Sequence, residues 1–145
     1  MSTFSKIISI RWADLDPNFH LRHSVYYDLG SQFRVELLDE AGLSMKTMKE
    51  QGFGPILFRE ECIFKREILM ADEITLTAKI LKMRQDGSRW TILHEFLKSD
   101  NTLCAQLTLD GAWMDTVNRR IANPTPQIAF DVLNQFPKAP GFELL

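Results

Sequence analysis

The sequence carries its densest chemistry in one short run, Arg11-Trp12-Ala13-Asp14-Leu15-Asp16-Pro17-Asn18-Phe19-His20-Leu21-Arg22-His23-Ser24-Val25-Tyr26-Tyr27. This run combines two carboxylates, two imidazoles and two arginines with a proline, which cannot donate a hydrogen bond to a β-ladder. It joins an apolar alternating segment to a long segment with helical periodicity. Functional side chains are often carried by loops that rigid elements hold in place. We therefore expect a site here, between a strand and a helix.

The segments on both sides of this loop predict a strand and a buried helix. Residues 4–12 alternate, which places three large apolar side chains on the face expected to be buried: Ile8, Ile10 and Trp12. Ser24 is a residue type that favours the helix N-cap. From 25 to 41, apolar residues recur at steps of three and four, which is typical of a helix packed on a sheet.

The second half of the chain predicts strands. After a short helix over 44–50, four runs have strand character: Pro55 to Phe64, Glu73 to Met83, Arg89 to Lys98 and Leu103 to Met114. Turn residues such as Asp86-Gly87 join them into an antiparallel meander. A terminal helix is predicted over 127–136, and the tail over 137–145 is expected to be loose. The fold class is therefore α+β, with a curved antiparallel sheet of about five strands around a mostly apolar helix.

Length and composition narrow the class of protein. A chain of 145 residues suits a single domain over 1–145. The net charge of -2, with scattered lysines and arginines, argues against a nucleic-acid partner. No apolar run approaches the roughly 20 residues that cross a bilayer, and the N-terminus lacks a signal peptide pattern, so we expect a cytoplasmic protein without a membrane partner. Cys62 and Cys104 are expected to be buried, reduced thiols.

Several side chains of the loop are candidates for chemistry. Asp14 and Asp16 would point to the same face of an extended segment, and one of them could act as a catalytic carboxylate. The alternative is turn formation, for which aspartate before proline is common. His20 and His23 have no third ligand at a suitable spacing, so no metal is expected.

The start of the predicted helix is a candidate oxyanion site. Backbone N–H groups near His23 and Ser24 and the helix dipole favour negative charge there, so a carbonyl oxygen at this point would be polarised, as acyl transfer or hydrolysis requires. Other charged residues are expected to be flank, sheet-face or surface charges, with a phosphate contact as the alternative for the last pair: Glu36, Glu60-Glu61, His94-Glu95 and Arg119-Arg120. Serine-hydrolase and nucleotide-binding motifs are missing.

The run from Arg11 to His20, followed by Tyr26, resembles the first motif of the hotdog-fold thioesterase superfamily. It is similar to the 4-hydroxybenzoyl-CoA thioesterase and acyl-ACP thioesterase types. Further segments resemble that family's later strands and turns: 56–61, 66–68, 72–74, 103–113 and Arg119-Arg120. The resemblance covers most of the chain and implies a hotdog fold, in which a long central helix is wrapped by the sheet.

The resemblance also implies roles for individual residues. Asp16 takes the place of the catalytic carboxylate, and His20 that of the motif histidine. The backbone N–H near His23 takes the place of the oxyanion donor, while Arg22 and Tyr26 would shape the substrate pocket. Arg22 and His23 replace asparagines of one branch, and the glycine of the other branch is a phenylalanine here. Members of the family form homodimers or homotetramers with sites at the subunit interface.

Three functions remain open from the sequence. The first is an acyl-CoA thioesterase that hydrolyses a fatty or aromatic acyl thioester to free acid and CoA, with an acyl carrier thioester as a less favoured substrate. CoA then enters as part of the substrate, and no cofactor is expected. The second is a hotdog hydratase or dehydratase using Asp16 and His20, although the glycine and Asn-Pro order of that motif is missing. The third is a non-catalytic module that binds acyl-CoA.

Overall fold

The computed structural model describes residues 4–145. Within them, seven strands form one curved sheet: β1 (Ser5–Ser9), β2 (Phe53–Phe64), β3 (Glu73–Met83), β4 (Arg89–Lys98), β5 (Leu103–Asp115), β6 (Arg120–Ile121) and β7 (Lys138–Leu144). Their order is β1-β3-β4-β5-β2, with β6 beside β5 and β7 beside β3. All pairs are antiparallel except β3 with β7. The expected α+β hotdog architecture is confirmed, although it has two more strands than expected and one parallel pairing.

The long helix α1 (Val25–Glu40) lies on the inner face of this sheet. Its buried positions include Phe33 and Leu37, which recur at the spacing that the sequence predicted. Gly30 allows the close approach, because a Cβ there would meet the Cδ2 atom of Leu107 on β5 at 2.5 Å. The chain turns after α1 through Gly42, whose φ of +102° suits glycine.

Two short helices complete the fold. In α2 (Met45–Gln51), the Ser44 hydroxyl accepts a hydrogen bond from the N–H of Thr47 at 3.1 Å and caps the helix. The helix α3 (Gln127–Leu133) packs its apolar side into the core. None of the helices in the described part of the chain has the length and apolarity to cross a lipid bilayer.

The predicted first strand ends earlier than expected. It spans Ser5–Ser9, and the chain then enters a single 3-10 turn over Trp12–Asp14. Ile8 and Ile10 are buried as predicted, but the Trp12 side chain is 68% exposed. The interpretation of Trp12 as a buried strand residue was wrong, because the chain leaves the strand direction before reaching it.

The tail was also misjudged. Residues 138–144 form β7 instead of a loose end, and they lie parallel to the end of β3. The N–H of Ile80 donates to the carbonyl of Pro137 at 2.8 Å, and the N–H of Leu145 donates to that of Met83 at 2.8 Å. These hydrogen bonds satisfy backbone groups on the outer edge of β3.

The expectation of buried thiols holds for Cys104 and in part for Cys62, whereas the expectation for His94 was wrong. Cys104 is buried and Cys62 is half-buried, and both are free thiols. His94 was expected to be a sheet-face or surface charge, but it is fully buried beneath α1. Its burial is possible because both ring nitrogens have hydrogen-bond partners, the carbonyl of Thr77 and the guanidinium of Arg34.

Candidate active site

The loop after the 3-10 turn is held by backbone hydrogen bonds. The N–H of Asp16 donates to the carbonyl of His20 at 2.8 Å, and the N–H of Phe19 donates back to the carbonyl of Asp16 at 3.0 Å. Phe19 forms the tip of this turn with a φ of +65°. The N–H of Leu21 then donates to the carbonyl of Ile68 at 2.8 Å and fixes the loop to the connection between β2 and β3.

The Asp16 carboxylate is anchored through one oxygen only. Its Oδ1 atom accepts the N–H groups of Asn18 at 2.9 Å and His20 at 3.1 Å. Within residues 4–145, no group hydrogen-bonds to Oδ2. The side chain is thereby oriented, while one oxygen stays available for a water molecule or a substrate carbon.

Asp14 has a different environment from Asp16. Arg11 binds it through two hydrogen bonds of 2.7 Å each, which hold the pKa of the Asp14 carboxyl below its usual value. The two aspartates were expected on one face if the segment was extended. Because Asp14 lies in the 3-10 turn, it faces Arg11 and stabilises the loop, and only Asp16 reaches the cleft described next.

A surface cleft of about 320 Å³ opens beside Asp16. It is lined by three groups of residues: the loop (Asp16, His20, Leu21), the start of α1 (His23, Tyr26) and the segment after β2 (Phe64, Lys65, Arg66, Glu67). Four of the five residues predicted for the site, all except Arg22, therefore meet at one cleft.

Tyr26 forms an apolar wall of this cleft. Its ring packs edge-on against Phe64, with 5.0 Å between ring centroids, and against Phe96 at 5.1 Å. Burial raises the pKa of the Tyr26 phenol, so the hydroxyl stays neutral. Tyr26 can therefore shape the cleft and offer a neutral hydroxyl.

The two histidines of the loop differ in their contacts. The Nε2 atom of His20 lies 3.8 Å from an Oε atom of Glu67 on the opposite side of the cleft. His23 makes no hydrogen bond or ion pair with any residue in 4–145, so its backbone N–H is unoccupied at the start of α1. The helix dipole adds partial positive charge at this point. An oxygen that gains negative charge in the cleft would be stabilised there.

Arg22 has contacts that tie it to the loop. Its Nε donates to the Ser24 hydroxyl at 3.1 Å, and a terminal nitrogen donates to the carbonyl of Ala13 at 3.1 Å. These contacts hold the chain entering α1 against the 3-10 turn. A substrate contact of Arg22 stays a prediction.

The sequence analysis missed the basic wall of the cleft. Lys65 and Arg66 follow β2 directly, and both N–H groups donate to the carbonyl of Cys104, at 2.8 and 3.0 Å. Their side chains are exposed beside the cleft. The signal in the sequence was the basic pair Lys65-Arg66, which directly follows a strand-like segment. In the described residues, no group of three or more potential metal ligands lies together.

Comparison with known proteins identifies the family of this chain. A family model for the thioesterase-like superfamily matches residues 10–135. The chain belongs to this superfamily. A search of curated proteins finds no match to the sequence.

Several solved structures have a fold similar to that of this chain. A hypothetical protein from Staphylococcus aureus, determined in complex with CoA, is 18% identical with a TM-score of 0.84, covering 95% of this chain and 88% of that one. A 1,4-dihydroxy-2-naphthoyl-CoA thioesterase from Synechocystis is 17% identical with a TM-score of 0.79, covering 91% and 96%. A gentisyl-coenzyme A thioesterase is 18% identical with a TM-score of 0.76, covering 89% and 98%. At these identities the likeness concerns the hotdog fold.

Proposed function

We propose that the protein is a thioester hydrolase that cleaves an acyl-CoA to free acid and CoA. The observation that carries this proposal is the Asp16 carboxylate, which has one anchored and one free oxygen in a cleft beside the start of α1. Membership of the thioesterase-like superfamily supports the reaction class. A fatty or an aromatic acyl group is compatible with the apolar wall at Tyr26 and Phe64.

In the proposed reaction, Asp16 acts as a general base. Its free oxygen takes a proton from a water molecule while the water oxygen adds to the thioester carbonyl carbon. The carbonyl oxygen, now negative, accepts hydrogen bonds from the N–H of His23 and the start of α1. Collapse of this tetrahedral intermediate breaks the C–S bond, and the proton held by Asp16 passes to the leaving thiolate. A direct attack of the carboxylate on the carbonyl is the alternative for the same residue.

The basic wall supports CoA as the carrier. Lys65 and Arg66 add two positive charges at the cleft, opposite the loop that holds Asp16. Cationic side chains of this kind suit the phosphates of CoA, and arginine can bind a phosphate through two hydrogen bonds. His20 positions the catalytic carboxylate through its backbone N–H, and its ring contributes to the cleft.

We further propose that the active protein is a homodimer, or a homotetramer built from such dimers. The twelve-residue strand β2 pairs only with β5, so its other edge is unpaired among the described residues. It carries exposed large apolar side chains, which are Leu57, Phe58, Ile63 and Phe64. An unpaired strand edge with exposed apolar side chains is normally covered, because it otherwise promotes aggregation. Its last residue, Phe64, also lines the cleft.

The test of the catalytic proposal is thiol release from a panel of acyl-CoAs, short, long and aromatic, by wild type and Asp16→Asn. We expect turnover of at least one acyl-CoA, with a fall of about 10²-fold or more in the variant, because the general base is lost. Asp39→Asn is the matched control, since Asp39 is exposed at the far end of α1. Equal rates in wild type and Asp16→Asn would refute the role of Asp16. Tight binding of acyl-CoA without any turnover would support the non-catalytic module.

A further inference from the structure

The open edge of β2 is bounded at both ends. Pro55 has no backbone N–H to donate to a neighbouring strand, so it bounds a ladder on this edge. At the other end the chain turns after Phe64, where the next two N–H groups both donate to the carbonyl of Cys104 on β5, at 2.8 and 3.0 Å. The part of the edge that can pair with a further strand is therefore 56–64, and its middle residue is Glu60.

Charged residues occupy the middle of this segment and lie on both faces of the sheet. Arg59 is on the outer face, where its Nε atom donates to Asp110 at 2.9 Å, and one of its terminal nitrogens lies 3.5 Å from Glu61. The side chains of Arg59 and Glu61 are 50% and 55% exposed. Glu60 is on the inner face, 3.7 Å from Arg34 of α1. A chain that covers this edge has to match these charges, because an unpaired charge in an interface is costly.

A second copy of the same chain matches these charges in the register that centres on Glu60. Two identical strands pair antiparallel about a two-fold axis, so one residue lies opposite its own copy. With the axis at Arg59 or at Glu61, like charges lie opposite each other, which destabilises the pairing. With the axis at Cys62, Glu60 lies opposite the partner's Phe64. With the axis at Glu60, Arg59 lies opposite the partner's Glu61, and Glu61 lies opposite the partner's Arg59.

Glu60 would itself face its own copy in this register, and Arg34 compensates this contact. Each Glu60 carboxylate lies 3.7 Å from the guanidinium of Arg34, whose side chain is only 12% exposed and also donates to Nε2 of His94 at 3.0 Å. Two carboxylates and two guanidiniums would then lie near the axis on the inner face, without net charge. An axis at Glu60 therefore leaves neither face of the sheet with an unmatched charge.

Apolar side chains flank this charged centre on both sides. They form two groups, Leu57-Phe58 and Ile63-Phe64, whose members are between 39% and 52% exposed. Antiparallel pairing about Glu60 brings each group of one chain against the other group of its partner. Both groups would then be covered, which removes exposed apolar surface from water.

We propose that two copies of the chain pair with the axis at Glu60, and that Arg59 and Glu61 form two reciprocal ion pairs across it. These ion pairs fix the register of the two β2 strands. They also select a second copy of this chain over strands with another charge pattern, because a mismatched charge opposes pairing. The proposal rests on the homodimer put forward with the proposed function, and it adds the register and the residues that determine it.

The first test exchanges the charges. Arg59→Glu and Glu61→Arg each turn both ion pairs into like-charge contacts, so the dissociation constant of each homodimer should rise about tenfold or more in sedimentation equilibrium. A mixture of the two variants should form heterodimers in excess of random pairing, as native mass spectrometry can show, because both contacts across the axis are attractive again. The double variant Arg59→Glu/Glu61→Arg should dimerise like wild type. Lys79→Glu and Glu95→Lys are the matched controls, because this ion pair of 3.8 Å joins β3 and β4 away from the open edge.

Oxidative cross-linking tests the register without changing Arg59, whose replacement also removes its hydrogen bond to Asp110. With the axis at Glu60, the two Cys62 residues lie four strand positions apart, about 13 Å, which is too far for a disulfide. Wild type should therefore not cross-link. Glu60→Cys combined with Cys62→Ser should give a disulfide-linked dimer, because residue 60 faces its own copy. Glu61→Cys combined with Cys62→Ser is the control and should not cross-link.

The outcomes separate the register from the dimer and from the proposed reaction. Equal dissociation constants for wild type and both charge variants, or random pairing in their mixture, would overturn the role of Arg59 and Glu61. A cross-link through Cys62 of wild type, or through Glu61→Cys, would place the axis elsewhere and overturn the register. A wild type that stays a single chain would refute register and dimer together. Absence of hydrolysis would refute the proposed reaction alone, because neither test depends on turnover.

Discussion

At His94 the fold buries a titratable side chain that stays uncharged. Burial is the main cause that lowers the pKa of this imidazole, to about 3, and the neighbouring Arg34 guanidinium lowers it further. The Nδ1–H donates to the carbonyl of Thr77 at 3.0 Å, which leaves Nε2 as the acceptor for Arg34. Protonation of His94 would therefore break this arrangement and place two positive charges together.

This environment predicts a pH dependence of stability. Unfolding restores an ordinary histidine, which binds a proton below about pH 6.5, whereas the folded state does not bind it until about pH 3. The unfolded state thus binds more protons in this range, and the free energy of unfolding should fall as the pH drops from 6.5 to 5. We expect a fall of up to about 1.4 kcal/mol per pH unit, measured by urea denaturation.

Two variants separate this effect from other titrations. His94→Gln cannot be protonated and should show a flatter pH profile, although its stability at pH 7.5 will be lower. His23→Gln removes an exposed imidazole that has no partner in the described chain, and it should keep the wild-type slope. A His94→Gln profile as steep as that of wild type would contradict the assignment.

Gly30 provides a second prediction at this scale. In an exposed helix position, Gly→Ala stabilises by about 1 kcal/mol. At Gly30 the added methyl would crowd Leu107, Arg34 and His94. We expect Gly30→Ala to lower the free energy of unfolding by about 1 to 3 kcal/mol, as overpacking does. Ser31→Ala, one residue further along α1 and exposed, is the control and should change stability little. A stabilised Gly30→Ala would show that α1 moves away from the sheet without cost.

The sequence predicted which residues line the cleft better than it predicted the contacts and burial of individual side chains. Asp16, His20, His23 and Tyr26 line one cleft because they are close in the chain and the loop between them is short. Asp14 is two residues from Asp16, but its carboxylate accepts two hydrogen bonds from Arg11. This contact depends on the 3-10 turn. His94 was predicted as a sheet-face or surface charge, and the sequence could not show that this face of β4 is covered, because its burial is set by α1.

At the scale of elements, the sequence predicted correctly those strands that are specified by residues close together in the chain. The bounds of β3 and β4 match the prediction, because apolar and polar residues alternate cleanly over β3 and Asp86-Gly87 marks the turn between the two strands. The strand β7 was missed, since it contains Pro140-Gly141 and owes its existence to a pairing with β3 more than fifty residues earlier. A pattern among neighbouring residues cannot indicate a pairing between segments so far apart in the chain.

The pairing of β7 predicts that the tail stabilises the whole fold. Deletion of residues 138–145 would expose backbone groups of β3 and uncover Ala139, which is 4% exposed. Loss of these hydrogen bonds and of buried apolar area should lower the free energy of unfolding by about 2 kcal/mol or more. The measurement is the urea midpoint of the truncated protein against wild type.

The control for this truncation lies in the same strand. The Leu144 side chain is 55% exposed, so Leu144→Ala should cost less than about 0.5 kcal/mol. A truncated protein as stable as wild type would mean that β7 is not paired with β3 in solution.

At the scale of the whole molecule, the two edges of the sheet are unequal. On one side, β3 is covered by the short β1 and by β7. On the other side, the second edge of β2 is open among the described residues, and its exposed apolar side chains form two groups, Leu57-Phe58 and Ile63-Phe64, with charged residues between them. Pairing of two β2 edges would cover this surface and would place the partner beside Phe64, which lines the cleft.

This arrangement predicts that assembly and activity are lost together. Sedimentation equilibrium at micromolar concentration should give two or four times the chain mass of 16.8 kDa. Ile63→Lys places a charge on the open β2 edge and should shift the mass towards 16.8 kDa, with a parallel loss of thiol release per chain. Ile7→Lys is the matched control, because Ile7 is 62% exposed on the short edge strand β1, and it should leave both properties unchanged. A wild-type protein that sediments as a single chain while hydrolysing acyl-CoA would refute the dimer and would leave Asp16 and its cleft as a complete site within one chain.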